Sequence, residues 1–311
     1  MNRGLTSILF LVLLLPLLGC RTTDEPTSGS FSLLATEPLV SLLRQESAEF
    51  QRIYPEMKGS VAASSTREAI VALLNDSVRV IAVDRPLNRE EEQVAREASI
   101  KLTTTTFAFD GLSVLVPSDN LVKSLSLHAL NDILDRKVTF WDRGGHSIEG
   151  APIRIVLTGP NTGVYELLSR HFFHLTRPLI PDKVAKDQSE VLEAVGRNVG
   201  AIGIVAHSFL AQARQDSALA GTLSRVRVIP LMPGERDSLP AVLPSQRSLY
   251  LGEYPLRISV SLVSTERRPG PAAGLAAFVM SMTGQKIVQD AGLLPAKVPV
   301  RTIDLTQDEI K

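Results

Sequence analysis

The sequence predicts an α/β fold in two domains, and three observations predict it. Apolar runs of strand length alternate with segments of helical periodicity. Ser- and Thr-rich turns separate several of these strand and helix pairs. Roughly 280 residues remain once the N-terminal leader is set aside, more than one hydrophobic core usually serves. Lys and Arg together number 33, as do Asp and Glu, so the net charge is zero. That balance argues against a surface built to coat nucleic acid.

The N-terminus carries a leader-like segment. Arg3 supplies a positive start, residues 5–18 are almost wholly apolar, and Gly19-Cys20 closes the run. An apolar run of ~14 residues is short for a bilayer span and fits the central part of a signal peptide. Leu17-Leu18-Gly19-Cys20 resembles a lipobox, in which the cysteine is lipidated and becomes the new N-terminus. Cys20 is the only cysteine, so no intramolecular disulfide can form. Residues 1–19 are therefore expected to be a lipoprotein signal peptide, with Cys20 lipidated. Residues 20–30, rich in Thr, Ser, Glu and Pro, are expected to be a flexible tether. The expected location is the cell envelope, lipid-anchored on the periplasmic or extracellular face. Arg21, where an aspartate would favour retention, points to the outer membrane in a Gram-negative host. The simpler alternative is an ordinary export signal or anchor helix.

Helical spacing covers residues 37–54, 66–74, 88–98, 126–134, 164–173, 189–195, 208–214 and, as one long helix, 272–290. Strands are expected over 61–63, 78–83, 102–109, 112–116, 153–157, 201–205, 226–231 and 256–263. Gly and Pro concentrate over 230–255, which predicts a long irregular connection. Strands in this alternation argue for mostly parallel sheets.

Such folds bind ligands at the carboxyl ends of strands, where helix starts offer free amides and a positive dipole end. Three junctions qualify. Thr36 precedes Glu37-Pro38; Ser64-Ser65-Thr66 precedes the helix containing Ile70; Asn161-Thr162-Gly163 follows the strand over 153–157. Any one of them alone reads as ordinary helix capping. Asp84 and Arg85 end another strand. They could form a structural ion pair, or Asp84 could accept a hydrogen bond from a protonated oxyanion and reject a fully deprotonated one.

Over residues 31–295 the chain resembles the phosphate-binding proteins of ABC importers. Thr66-Arg67-Glu68-Ala69-Ile70 followed by Val83-Asp84-Arg85-Pro86-Leu87 resembles that family's first-domain site. Residues 125–145, Gly200-Ala201-Ile202-Gly203-Ile204 and Tyr254-Pro255-Leu256 are similar to its central segments, and residues 278–295 to its last helix. The resemblance implies a two-lobed periplasmic-binding-protein-like fold (type II) with two crossover hinge strands, near Asp110 and Tyr254. Lobe one would comprise 31–110 plus 255–311, and lobe two 111–254. It implies a non-catalytic, monomeric protein without cofactor that captures a small anion, phosphate foremost, and docks on an inner-membrane ABC permease. Thr36, Ser65, Thr66, Asp84 and Arg85 would line the first lobe; Asn161, Thr162 and Gly163 would line the second. The family's second-lobe arginine is missing, for Leu157 or Thr158 stands there. Its bidentate contact contributes on the order of 1.5–3 kcal/mol per hydrogen bond, so affinity should fall roughly tenfold or more unless Arg85 or Arg67 substitutes. The same scaffold with another ligand, or a sensory or adaptor lipoprotein, are the alternatives.

Other constellations carry less. His171 and His174 share a helix face but make only two metal ligands, so no metal is expected. Residues 145–150 lack the Gly-x-Ser-x-Gly elbow of a hydrolase, and no nucleotide-binding glycine motif occurs. Trp141 is expected in a core or on a lobe surface, and Glu90-Glu91-Glu92 on a solvated helix face.

Overall fold

A computed structural model describes residues 25–141, 151–233 and 240–297. The signal segment, Cys20 and residues 145–150 lie outside them. Along the chain, β1 (Gly29–Thr36) leads through a 3-10 turn (Glu37–Leu39) into α1 (Val40–Ile53). There follow β2 (Met57–Ser64), α2 (Thr66–Leu74), β3 (Val80–Val83), α3 (Arg89–Glu97) and the long β4 (Thr103–Pro117). Next come β5 (Leu125–Ser126), α4 (Leu127–Leu134), β6 (Arg154–Thr158), α5 (Gly163–Phe173), β7 (Lys183–Ala185) and α6 (Gln188–Gly196). After these are β8 (Ala201–Ala206), α7 (His207–Ala213), α8 (Ser217–Leu223), β9 (Val226–Ile229), β10 (Leu231–Met232) and α9 (Gln246–Tyr250). The last are β11 (Arg257–Ser264), α10 (Pro271–Val279), α11 (Met282–Asp290) and β12 (Leu294–Pro295).

Two half-sheets share β4. The first has the order β2-β1-β3-β11-β4, the second β4-β8-β6-β7. Strands β1, β2 and β3 are mutually parallel, as are β6, β7 and β8, while β11 and β4 run antiparallel to their neighbours. Within β4, Thr103 to Gly111 pair with β11, and Leu112 onward pairs with β8 and β9. The partner switch divides the molecule into two lobes. The first lobe's core gathers Leu33, Leu42, Phe50, Val80, Leu262 and Leu275. The second lobe buries Val114, Leu130, Ile155, Leu168 and Ile204 on one side of its sheet, and Val156, Val191 and Val205 on the other. Strand β3 is buried along its whole length, which explains its unbroken apolar run.

Several expectations need correction. The strands expected over 102–109 and 112–116 are one, because Asp110-Gly111 continues the ladder instead of turning. The single helix expected over 272–290 is two. Ser281 caps α11 by accepting from the Gly284 amide (3.3 Å), and the buried Gln285 amide donates to the carbonyls of Val279 (2.9 Å) and Phe107 (3.1 Å). The helix is thereby broken where its end is tied to β4. The 37–54 helix opens as a 3-10 turn with Pro38 inside it. The tether expected to reach residue 30 ends earlier: β1 begins at Gly29, which pairs with Met57. The preceding turn lies on α10, so close that a Cβ on Gly274 would meet the Pro26 carbonyl oxygen at 1.7 Å. No helix among the described residues is long and apolar enough to cross a membrane.

A Gly274→Ala change should therefore lower stability by roughly 1–3 kcal/mol, as overpacking does. An unchanged urea midpoint would show that the 25–28 turn does not rest on α10.

Candidate functional site

The candidate site lies where the carboxyl ends of β1 and β3 meet the starts of α5 and α6 from the other lobe. Thr36 ends β1 and is 3% exposed. Its extended backbone is right for a cap, yet its hydroxyl makes no capping bond and has no partner. A buried hydroxyl without a partner is costly and marks a place built for one. Thr66 opens α2 and donates to Asp84 Oδ1 at 3.0 Å. Ser65 does something else. Its hydroxyl and Glu68 form a reciprocal capping box, so this side chain serves the helix.

Asp84 is 3% exposed. Burial pushes its carboxyl above the usual range, with Thr66 pulling the other way. Its oxygens stand against the first turn of α5: a Cβ on Gly163 would lie 2.1 Å from Asp84 Oδ1. Glycine is required there by close approach. Among the described residues, the amides of Gly163 and Val164 have no protein acceptor. Thr162 caps α5, its hydroxyl also paired with that of Thr158 (2.8 Å) and the Gly159 carbonyl (2.8 Å). Asn161 contributes its carbonyl, which accepts from the Arg67 amide at 3.1 Å. The structure thus brings Thr66, Asp84, Asn161, Thr162 and Gly163 together from two lobes.

Arg85 faces elsewhere. It is fully buried and forked onto Glu91 (2.7 and 2.8 Å), with a further bond to the Pro86 carbonyl. Its Nε lies 2.7 Å from Glu166 Oε2 on α5, although the N–H does not point along that line. Burial opposes its charge, and Glu91 and Glu166 outweigh burial, so its pKa sits above the ordinary value. With both faces of the guanidinium engaged, it is not free to replace the missing arginine, and Glu91 is not on a solvated face. Arg67 is exposed. Leu157 is buried in β6, and Thr158 is held by Thr162.

Sequence reasoning named Asp110 only as a hinge position and passed over Glu37 and Gln188. Asp110, at the β4 partner switch, accepts from its neighbour Gly111 (2.7 Å) and from the Ser208 amide at the start of α7 (3.2 Å). Burial raises its carboxyl to about 6. Glu37 accepts from the Gln188 amide, the first of α6, at 3.1 Å on each oxygen. Burial raises it to about 7, the Gln188 bond lowers it, and Asp187 and Asp84 raise it. Glu37's position beside Thr36 was the available signal; nothing in the sequence paired it with Gln188. Trp141 is a core residue, donating to the Gly200 carbonyl at 3.0 Å. Among the described residues no cluster of three or more His, Cys, Asp or Glu could hold a metal.

Residues 21–284 match the model of the PBP superfamily domain. The chain is similar to the phosphate-binding protein PstS of Pseudomonas aeruginosa, 24% identical over 298 residues, which is 89% of this chain and 86% of that protein. It is similar to protein SphX of Synechococcus elongatus at 24% over 254 residues, 79% and 72% of the two chains. Among solved structures it resembles a substrate-binding protein assigned to phosphate ABC transport in Clostridium perfringens, with phosphate bound (TM-score 0.71, 19% identity, 86% of this chain and 100% of that one). An ABC-type phosphate transport receptor from Vibrio cholerae gives a TM-score of 0.65 at 18% identity, over 86% and 100%. These likenesses establish the type II periplasmic-binding-protein-like fold expected from the sequence.

The contact between Asp84 and α5 can be tested without any ligand. Gly163→Ala should destabilise the protein, and Asp84→Ala should relieve much of that loss. A coupling of about 1 kcal/mol or more is expected from a double-mutant cycle in urea. Strict additivity would mean that the carboxylate does not rest on residue 163.

Proposed function

The chain belongs to the PBP superfamily, whose members bind solutes without catalysis, and from that premise we propose that it is a lipid-anchored, extracytoplasmic protein that captures a small oxyanion, phosphate foremost, for an ABC transporter. The observation that carries this reading is the Thr66–Asp84 pair set against the free amides of α5. Those amides and the dipole behind them suit an anion's oxygens. The orphan Thr36 hydroxyl at the end of β1 offers one more bond. Asp84 accepts, so the preferred ligand keeps a proton to donate, and a fully deprotonated anion is repelled. The relatives named as phosphate-binding support the same class. With the family's second-lobe arginine replaced and Arg85 held by Glu91 and Glu166, affinity should be weaker than a clamped dianion enjoys, by roughly tenfold or more.

The lobes would part and close about the β4 partner switch near Asp110 and the return segment at Tyr254, the hinge motion known for such binding proteins. The leader and Cys20 would hold the protein at the membrane as a monomer, within reach of an inner-membrane permease. A second reading has a specific observation behind it. Arg85, Glu91 and Glu166 close part of the boundary with the protein's own charges, which suits a sensory or adaptor lipoprotein that needs no small ligand.

Titration calorimetry with phosphate and sulfate separates the two. The transport reading expects phosphate binding in about the micromolar range, lost in a folded Thr66→Ala/Asp84→Ala double variant. No heat with either anion, together with recovery of an envelope partner, would favour the adaptor. A Cys20→Ser change should shift the protein from the membrane to the soluble envelope fraction; retention at the membrane would remove the lipid anchor from the proposal.

A further inference from the structure

The two lobes are joined across the crevice by groups of the protein itself. The Arg67 amide donates to the Asn161 carbonyl at 3.1 Å, and the Gln212 side chain donates to the Pro38 carbonyl at 2.7 Å. Arg85 approaches Glu166 at 2.7 Å. The fourth link differs in kind. Glu37, half-buried in the first lobe, presents both carboxylate oxygens to the first amide of α6 in the second lobe. Gln188 is itself 3% exposed, and its side chain is fixed by accepting from the Ala206 amide at 2.7 Å. A carboxyl group accepting from a helix-start amide takes the place this fold would give to an oxyanion's oxygen.

We propose that Glu37 is an acidic latch: its carboxyl group occupies the start of α6 and closes the lobes from within, and an external anion has to displace it. The proposal rests on the reading of the crevice as an oxyanion site, and deepens it by naming what regulates entry.

The surroundings give the latch a pH dependence. Asp187 and Asp84 both push the Glu37 carboxyl up, and Lys186 lies 3.7 Å from Asp187. Arg44 on α1 shares one outer groove with Glu37. Asp216, just before α8, and Asp290 on α11 line the other. The closed form holds this carboxyl near 7; freed into solvent by opening, it would return toward 4.5. The closed form therefore binds the proton more tightly. The contribution of Glu37 to closure is full below about 4.5 and is lost as pH rises through about 7. Above that pH its charge also opposes an arriving anion.

The test measures the distance between spin labels on the two lobes of the full chain, at K58C and R197C, both exposed sites. The wild-type distance should lengthen between pH 5.5 and 8.5. Glu37→Gln, which keeps an acceptor without a charge, should hold the short distance at both. Glu37→Ala should show the long distance at both, and at pH 8.5 bind phosphate about tenfold more tightly than wild type. Label distances that ignore both substitutions would overturn the latch, whether or not phosphate binds. Distances that follow Glu37 while no form binds phosphate would uphold the latch and reject the oxyanion reading.

Discussion

Strand β4 exchanges its partners between Gly111 and Leu112, leaving β11 for β8 and β9 without leaving the extended conformation. A continuous strand can twist and bend, but it cannot let its two ends slide past each other. Any relative motion of the lobes would therefore be a rocking about the switch, and their facing edges are the carboxyl ends of the parallel strands. Asp110 sits at the exchange and holds the α7 start, so the strand's one buried charge is committed at the place where the sheet divides.

The distribution of charge follows from that geometry. Arg85, just after β3, is held by Glu91 on its own lobe and Glu166 on the other. Buried ion networks of this kind are held in place because breaking one partner leaves the others uncompensated. Glu37, Asp84 and Asp110 near the crevice all have carboxyls raised by burial, and Asp84 raises both of the others. Three such groups resist simultaneous ionisation. Holding the anion proposed above, such a site would discriminate by protonation state more than by charge attraction.

Much of the architecture was legible in the sequence because its signals are local. The β3 run and the Ser- and Thr-rich helix starts were read from spacing, and Thr66, Asp84 and Gly163 were singled out as candidates from spacing and from resemblance to a known family. The misses share a cause. Nothing local distinguishes the Ser281 break from a continuing helix, because it depends on Gln285 reaching β4. Nothing local says that Arg85 points at Glu91 and Glu166, or that Glu37 crosses to Gln188, 151 residues further on. Polar side chains of similar type were correctly seen as candidates, but which partner each takes is settled by tertiary contacts alone. Ser65 illustrates the converse: its hydroxyl looked available and is consumed by its own helix.

The contact between Asp84 and Gly163 bears on how such a protein changes its ligand over time. Here one lobe meets the other with no room for one more carbon atom. A side chain there would act as a wedge, holding the jaws ajar by its own thickness. Ligand size could then be retuned at a single backbone position, with the walls of the crevice left as they are.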